Sequence, residues 1–132
     1  MNVGLDTSVL LRLMVGQPEE QTAAALAFLD DVRRSGHQAV ADDLVVAEAY
    51  FTAQHHYGVS KASALSVLRR MFEAGEIVAT GAAAKVLAVP GLATTKPGFV
   101  DRLIHASYAS GGAVMATFEK SAAKLEQVRL IR

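Results

Sequence analysis

Val3-Gly4-Leu5-Asp6-Thr7-Ser8 leads directly into Val9-Leu10-Leu11-Arg12-Leu13-Met14, and the reading of this stretch decides the fold. The first residues are apolar without polar alternation, which suits a strand covered on both faces, and such strands belong to parallel sheets flanked by helices. The apolar run ends in a carboxylate and opens into a periodic segment, so the stretch reads as strand, turn and helix. In parallel sheets ligands bind at the carboxyl ends of the strands, which is where Asp6 stands. Asp6 also fits a plain N-cap for the helix beginning near Thr7, because aspartate is favoured there.

Outward from this stretch, short apolar strands alternate with helices. Pro18-Glu19-Glu20 makes a helix start, with Ala24, Leu26, Ala27, Phe28, Leu29 and Val32 as its expected buried stripe and Ser35-Gly36 as its stop. Gln38 to Ala41 is a second strand, and one of Asp42-Asp43 caps the following helix, roughly Leu44 to Tyr57. Glu48 lies one turn from Leu44 and Val45 and from Phe51 and Thr52, so it is expected to project from an apolar face. An ionised carboxylate there calls for a cation, a hydrogen-bond network or a raised pKa, and a buried salt bridge is the bland alternative. His55 and His56 point roughly 100° apart on a helix and cannot grip one metal, so one is expected packed and the other wet.

Ser60 caps a helix through Leu65, Val67, Leu68, Met71 and Phe72, and Ile77 to Ala79 is a third strand. A helix is expected over Ala82 to Val89, then a loop, then a helix from Phe99 to Tyr108 with Asp101 in its first turns, where the dipole favours negative charge. His105, one turn on, could share a ligand with Asp101. Ala113 to Ala116 is a fourth apolar strand with Glu119 just beyond it, and a short helix and a last strand, Val128 to Ile131, end the chain.

The 132 residues suit one domain over 1–132, and 52% apolar composition supplies a core without disulfide or metal. Absence of cysteine excludes disulfides and thiolate sites and fits a reducing compartment. Nothing at Met1-Asn2-Val3-Gly4 resembles a signal peptide, and Gly81, Lys85, Pro90 and Gly91 break the stretch Ile77 to Ala93 too often for a bilayer span. A soluble cytoplasmic protein is the expectation. Thirteen basic and thirteen acidic residues cancel, so any polyanion contact is local. Arg12, Arg69, Arg70, Lys96, Arg102, Lys120 and Lys124 are its candidates, against the plain reading of solvated helix faces.

Asp6 and Glu119 follow strand ends, while Glu48 and Asp101 project from flanking helices, so four acids can converge on one end of the sheet. Like charges together raise one another's pKa unless a cation intervenes. Hard oxygen ligands without cysteine suit Mg²⁺ or Mn²⁺, and such a site supports phosphodiester hydrolysis by an activated water.

On Leu5-Asp6-Thr7-Ser8-Val9-Leu10-Leu11-Arg12, Ala47-Glu48 with Tyr57-Gly58, Phe99-Val100-Asp101-Arg102-Leu103-Ile104 and Ala116-Thr117-Phe118-Glu119-Lys120, the chain resembles the PIN-domain nucleases over essentially its whole length. Within them it is similar to the VapC-type ribonuclease toxins of toxin-antitoxin pairs. The resemblance implies a three-layer α/β/α fold around a central parallel sheet of four to five short strands. It implies an RNA-cutting enzyme using Mg²⁺ or Mn²⁺ held by Asp6, Glu48 and Asp101, with Glu119 assisting and Thr7 and Thr117 in support. It also implies a cognate antitoxin protein and a homodimer. Two residues depart from the family pattern: Ser8 replaces an asparagine, and Glu119 replaces an aspartate, moving its carboxylate by more than an ångström. The rival reading is a degenerate PIN domain that binds protein and no longer cleaves. A haloacid-dehalogenase-type phosphatase would need an aspartate where Ser8 stands, and a receiver domain would need one at Thr80-Gly81.

Overall fold

The computed structural model describes residues 1–132 and shows a mixed α/β protein with only parallel strand pairs. In chain order the elements are β1 (Asn2–Gly4), α1 (Thr7–Val15), α2 (Glu19–Arg34), β2 (Gln38–Ala41), α3 (Asp43–Tyr57), α4 (Lys61–Glu73), β3 (Ile77–Ala79), α5 (Ala83–Leu87), α6 (Phe99–Ser110), β4 (Met115–Thr117), a 3-10 helix (Lys120–Lys124) and β5 (Val128–Leu130). No helix is long and apolar enough to cross a membrane.

The five strands form two sheets. β1, β2 and β3 pair in that order, with Val3 opposite Ala39 and Val40 opposite Val78. β4 and β5 pair only with each other, Ala116 opposite Arg129. The expected strand number is there, but the strands are divided between two sheets, with β1 at an edge of the first. Asn2 and Gly4 flank the one apolar residue of that strand, and both are exposed. Asparagine and glycine are poor strand formers and give a further strand little to pack against.

One cluster of 21 buried residues forms the core, built from β1 to α6 and reaching Leu103. Leu10, Val46, Ala49, Ala53 and Leu68 are fully enclosed there, which fixes α1, α3 and α4 against one another. Gly58 ends α3 in the left-handed region, at φ 67°, with its N–H on the Ala53 carbonyl; glycine takes that conformation without a Cβ clash. On α2 the buried stripe is narrower than the apolar pattern predicts. Only Leu29 and Val32 are buried, while Ala24, Leu26, Ala27 and Phe28 are exposed, because α2 leans on α1 and β2 along one edge. α5 is also shorter than expected, five residues, stopping before Val89.

Candidate functional site at the carboxyl edge of the sheet

Since β1, β2 and β3 are parallel, the residues that follow them all lie along one edge: Leu5-Asp6 after β1, Asp42-Asp43 after β2 and Thr80-Gly81 after β3. Asp6 takes the cap role open to it from the sequence and leaves its carboxylate at the strand end. Its backbone is extended, its Oδ1 accepts from Thr7 N–H at 2.7 Å, and it caps α1; its side chain remains exposed at the strand end. Leu5 below it is buried in the core and Thr7 beside it is almost completely buried, so the carboxylate stands on a fixed base.

The two aspartates after β2 divide their work. Asp42 Oδ1 accepts from Val45 N–H at 2.8 Å and caps α3. Asp43 reaches across the edge, and its two oxygens accept from Ala82 N–H at 3.1 Å and Ala83 N–H at 3.0 Å, the free donors at the start of α5. α5 begins at an alanine with no side chain to cap it, so the carboxylate comes from another element. Gly81 makes room for it, because a Cβ there would lie 2.5 Å from Asp43 Oδ2. This tie is absent from the sequence reading. Its signal there was a helix start, Ala82-Ala83, with no polar residue of its own.

Glu48 departs from expectation. The buried face of α3 is Val46, Ala49, Tyr50 and Ala53, while Leu44 is 79% and Phe51 45% exposed on the side that Glu48 shares. Its carboxylate is therefore in water and takes part in no ion pair, so the apolar surround that would have demanded a partner does not exist. His55 and His56 are both exposed, His55 stacked on Phe51 and His56 edge-on to Tyr57, where one packed and one wet was expected.

Asp101 is exposed in the first turn of α6, whose N-cap Gly98 offers no side chain. Phe99 and Leu103 on the same helix are in the core, and Phe99 meets Tyr50 edge-on at 5.1 Å, so the start of α6 is anchored to α3. His105 does not join Asp101. Its Nε2 lies 2.5 Å from the Glu126 carbonyl, and since a carbonyl only accepts, that nitrogen carries the hydrogen. Glu119 follows β4, exposed, with its N–H donating to Thr117 Oγ1 at 3.0 Å.

The four acids named from the sequence thus sit on four elements, each exposed. No group of three or more histidine, aspartate or glutamate side chains is placed to hold a metal ion. The arrangement does not fit a metal as it stands. Separation is also what mutual repulsion favours among carboxylates with no cation between them.

Beside this edge, between α5 and α6, a cleft of about 870 Å³ opens. Asp43, Thr80 and Gly81 form its rim at the sheet, and Lys85, Arg102 and His105 line its walls. Lys85 was outside the sequence-based set of basic candidates, for nothing in Ala82 to Val89 announces which side of so short a helix faces out.

Comparison with curated proteins and with solved structures returns no match. The PIN domain matches residues 3–128, nearly the whole chain, and carries with it a nuclease-type, hydrolytic function. The match spans every element from β1 into β5, including the strand end at Asp6. The chain belongs to the PIN-domain family, whose members are generally metal-dependent nucleases.

Proposed function

We propose that this protein is an endoribonuclease that hydrolyses RNA phosphodiester bonds with Mg²⁺ or Mn²⁺, acting in the cytoplasm as a VapC-type toxin restrained by a cognate antitoxin, as a homodimer and as one domain over residues 1–132. The observation that carries it is Asp6: an exposed carboxylate at the carboxyl end of a core-anchored parallel strand, in a chain matched to the PIN domain from residue 3 onward. Asp6, Glu48 and Asp101 are its ligand candidates, with Glu119 assisting. A divalent ion would supply charge for the phosphate and a more acidic water. As the side chains stand, holding one ion requires them, or the elements that carry them, to close on it.

Glu119 in place of an aspartate supports a second reading, a degenerate PIN domain that binds protein without cleaving. One experiment decides between them. The purified protein, freed of any antitoxin, is incubated with RNA and Mn²⁺ and its thermal unfolding is followed, beside Asp6→Asn. At about 100 times its dissociation constant a native-state ligand adds about 2.7 kcal/mol, a rise of about ten degrees in Tm for this size. Cleavage and a Tm rise that both vanish in Asp6→Asn are expected. No shift and no cleavage at millimolar metal would overturn the nuclease reading and favour the binding module. Growth arrest on unaccompanied expression, relieved by a small neighbouring protein, tests the toxin role.

A further inference from the structure

The chain is neutral overall, yet one cleft of it is basic. Its three ion pairs all lie within α2 and α4, and none includes Lys85 or Arg102. Both line the α5–α6 cleft together with His105. The one carboxylate there, Asp43, already accepts two backbone N–H groups and is turned to the start of α5. Arg102 donates through Nε to the Pro97 carbonyl at 2.8 Å, which holds its stem and leaves the two terminal nitrogens of the fork without a partner. Two cations without an ion-pair partner outnumber the one carboxylate of this concave wall and focus a positive potential on whatever enters.

We propose that the α5–α6 cleft seats the sugar-phosphate backbone of single-stranded RNA, with Lys85 and Arg102 as its phosphate contacts; this rests on the nuclease reading above. Position favours RNA over an acidic peptide. The rim at Thr80 and Gly81 belongs to the same sheet edge as Asp6, so a strand lying in the cleft meets the edge that carries the proposed site of cleavage. Thr80 and Ser107 add hydroxyls suited to phosphate and ribose oxygens. No phenylalanine, tyrosine or tryptophan lines the cleft, and His105 is its one aromatic ring, so it offers no extended platform for successive stacked bases. Contact here is with the backbone and independent of base sequence; discrimination among RNAs lies elsewhere.

The test uses the full chain carrying Asp6→Asn, so that RNA is bound without being cut, and a fluorescent oligouridine whose anisotropy is read over a range of salt. Lys85→Glu and Arg102→Gln are compared with Lys61→Glu, the same charge reversal at an exposed position of α4 outside the cleft. Lys85→Glu is expected to weaken binding roughly tenfold and to lower the salt slope by about 0.7, the share of one phosphate contact on a single strand. Arg102→Gln should do the same. Lys85 makes no internal hydrogen bond or ion pair, so its variant keeps the question open to disproof even where Arg102→Gln disturbs the Pro97 loop. A Lys85→Glu loss no greater than that of Lys61→Glu overturns the proposal. So does displacement of the RNA by polyglutamate at lower charge concentration than by unlabelled oligouridine, which would assign the cleft to an acidic protein segment. RNA held through Lys85 by a protein whose unmutated form never cleaves would uphold the cleft and defeat the nuclease reading; cleavage with Lys85 irrelevant to binding would do the reverse.

Discussion

The chain before Leu103 and the chain after it are built to different standards. The first part owns the 21-residue core, a three-stranded sheet and helices capped by Asp6, Asp42 and Ser60. The second has a two-stranded sheet and just Met115 and Ala122 buried, both outside that core, while Val114, Phe118 and Ile131 stay exposed. A two-stranded sheet is marginal by itself, and little buried apolar area means a low free energy of local opening. Asp6 therefore rests on a rigid frame and Asp101 on a helix pinned at its start, while Glu119 rides on the loosest part of the molecule. Of four carboxylates that could act together, one has its position set weakly.

The largest test of this contrast is packing. Leu10→Ala, in the fully enclosed part of the core, should cost about 3 to 5 kcal/mol in denaturant unfolding, and Met115→Ala less than half as much; equal losses would erase the distinction. Next is chemistry. Asp6→Asn should reduce cleavage by about a hundredfold or more, Glu119→Gln by only a few-fold, since a loosely held carboxylate contributes less to a preorganised site. Comparable losses would mean that the C-terminal unit is ordered when the enzyme works. The smallest effect lies at the junction, where Tyr50 joins α3 to Phe99 of α6. Burial raises the Tyr50 hydroxyl above its ordinary pKa of 10.0, because the phenolate loses its solvation. The folded protein then keeps this proton longer than the unfolded chain does. The contribution is whole below the unfolded value and declines as pH rises through the folded one. Tyr50→Phe should therefore show a shallower loss of stability above pH 10 than the unmutated protein, and matching curves would remove Tyr50 from the junction's account.

What the sequence discloses follows the same division. Local signals are sufficient wherever one residue type does one job: the strand, turn and helix around Asp6, a cap within Asp42-Asp43, Ser60 before α4, and Gly58 closing α3. Strand pairing was less legible. Three-residue strands carry almost no register information, and nothing in Met115-Ala116-Thr117 says whether its neighbour is β1 or β5. The face of Glu48 is not legible in the sequence because α3 has apolar residues nearly all the way round, Leu44 and Phe51 outside and Val46 and Tyr50 inside, so periodicity does not pick the inner side. α2 misled in the same way through Leu26 and Phe28. The Asp43 tie and the unpaired Lys85 depend on partners about forty residues away or on having none, and neither leaves a mark in local sequence.

That Asp43 tie has a topological consequence. By fastening residue 43 to residues 82 and 83 it closes a ring containing α3, α4 and β3, much as a crosslink would, though by two hydrogen bonds to one carboxylate. Joining chain ends so far apart opposes loop-closure entropy, and the clasp holds only while both ends are in place. The Ala82 and Ala83 amides should thus be slowed in deuterium exchange by one common protection factor, reporting the moments when that ring springs open.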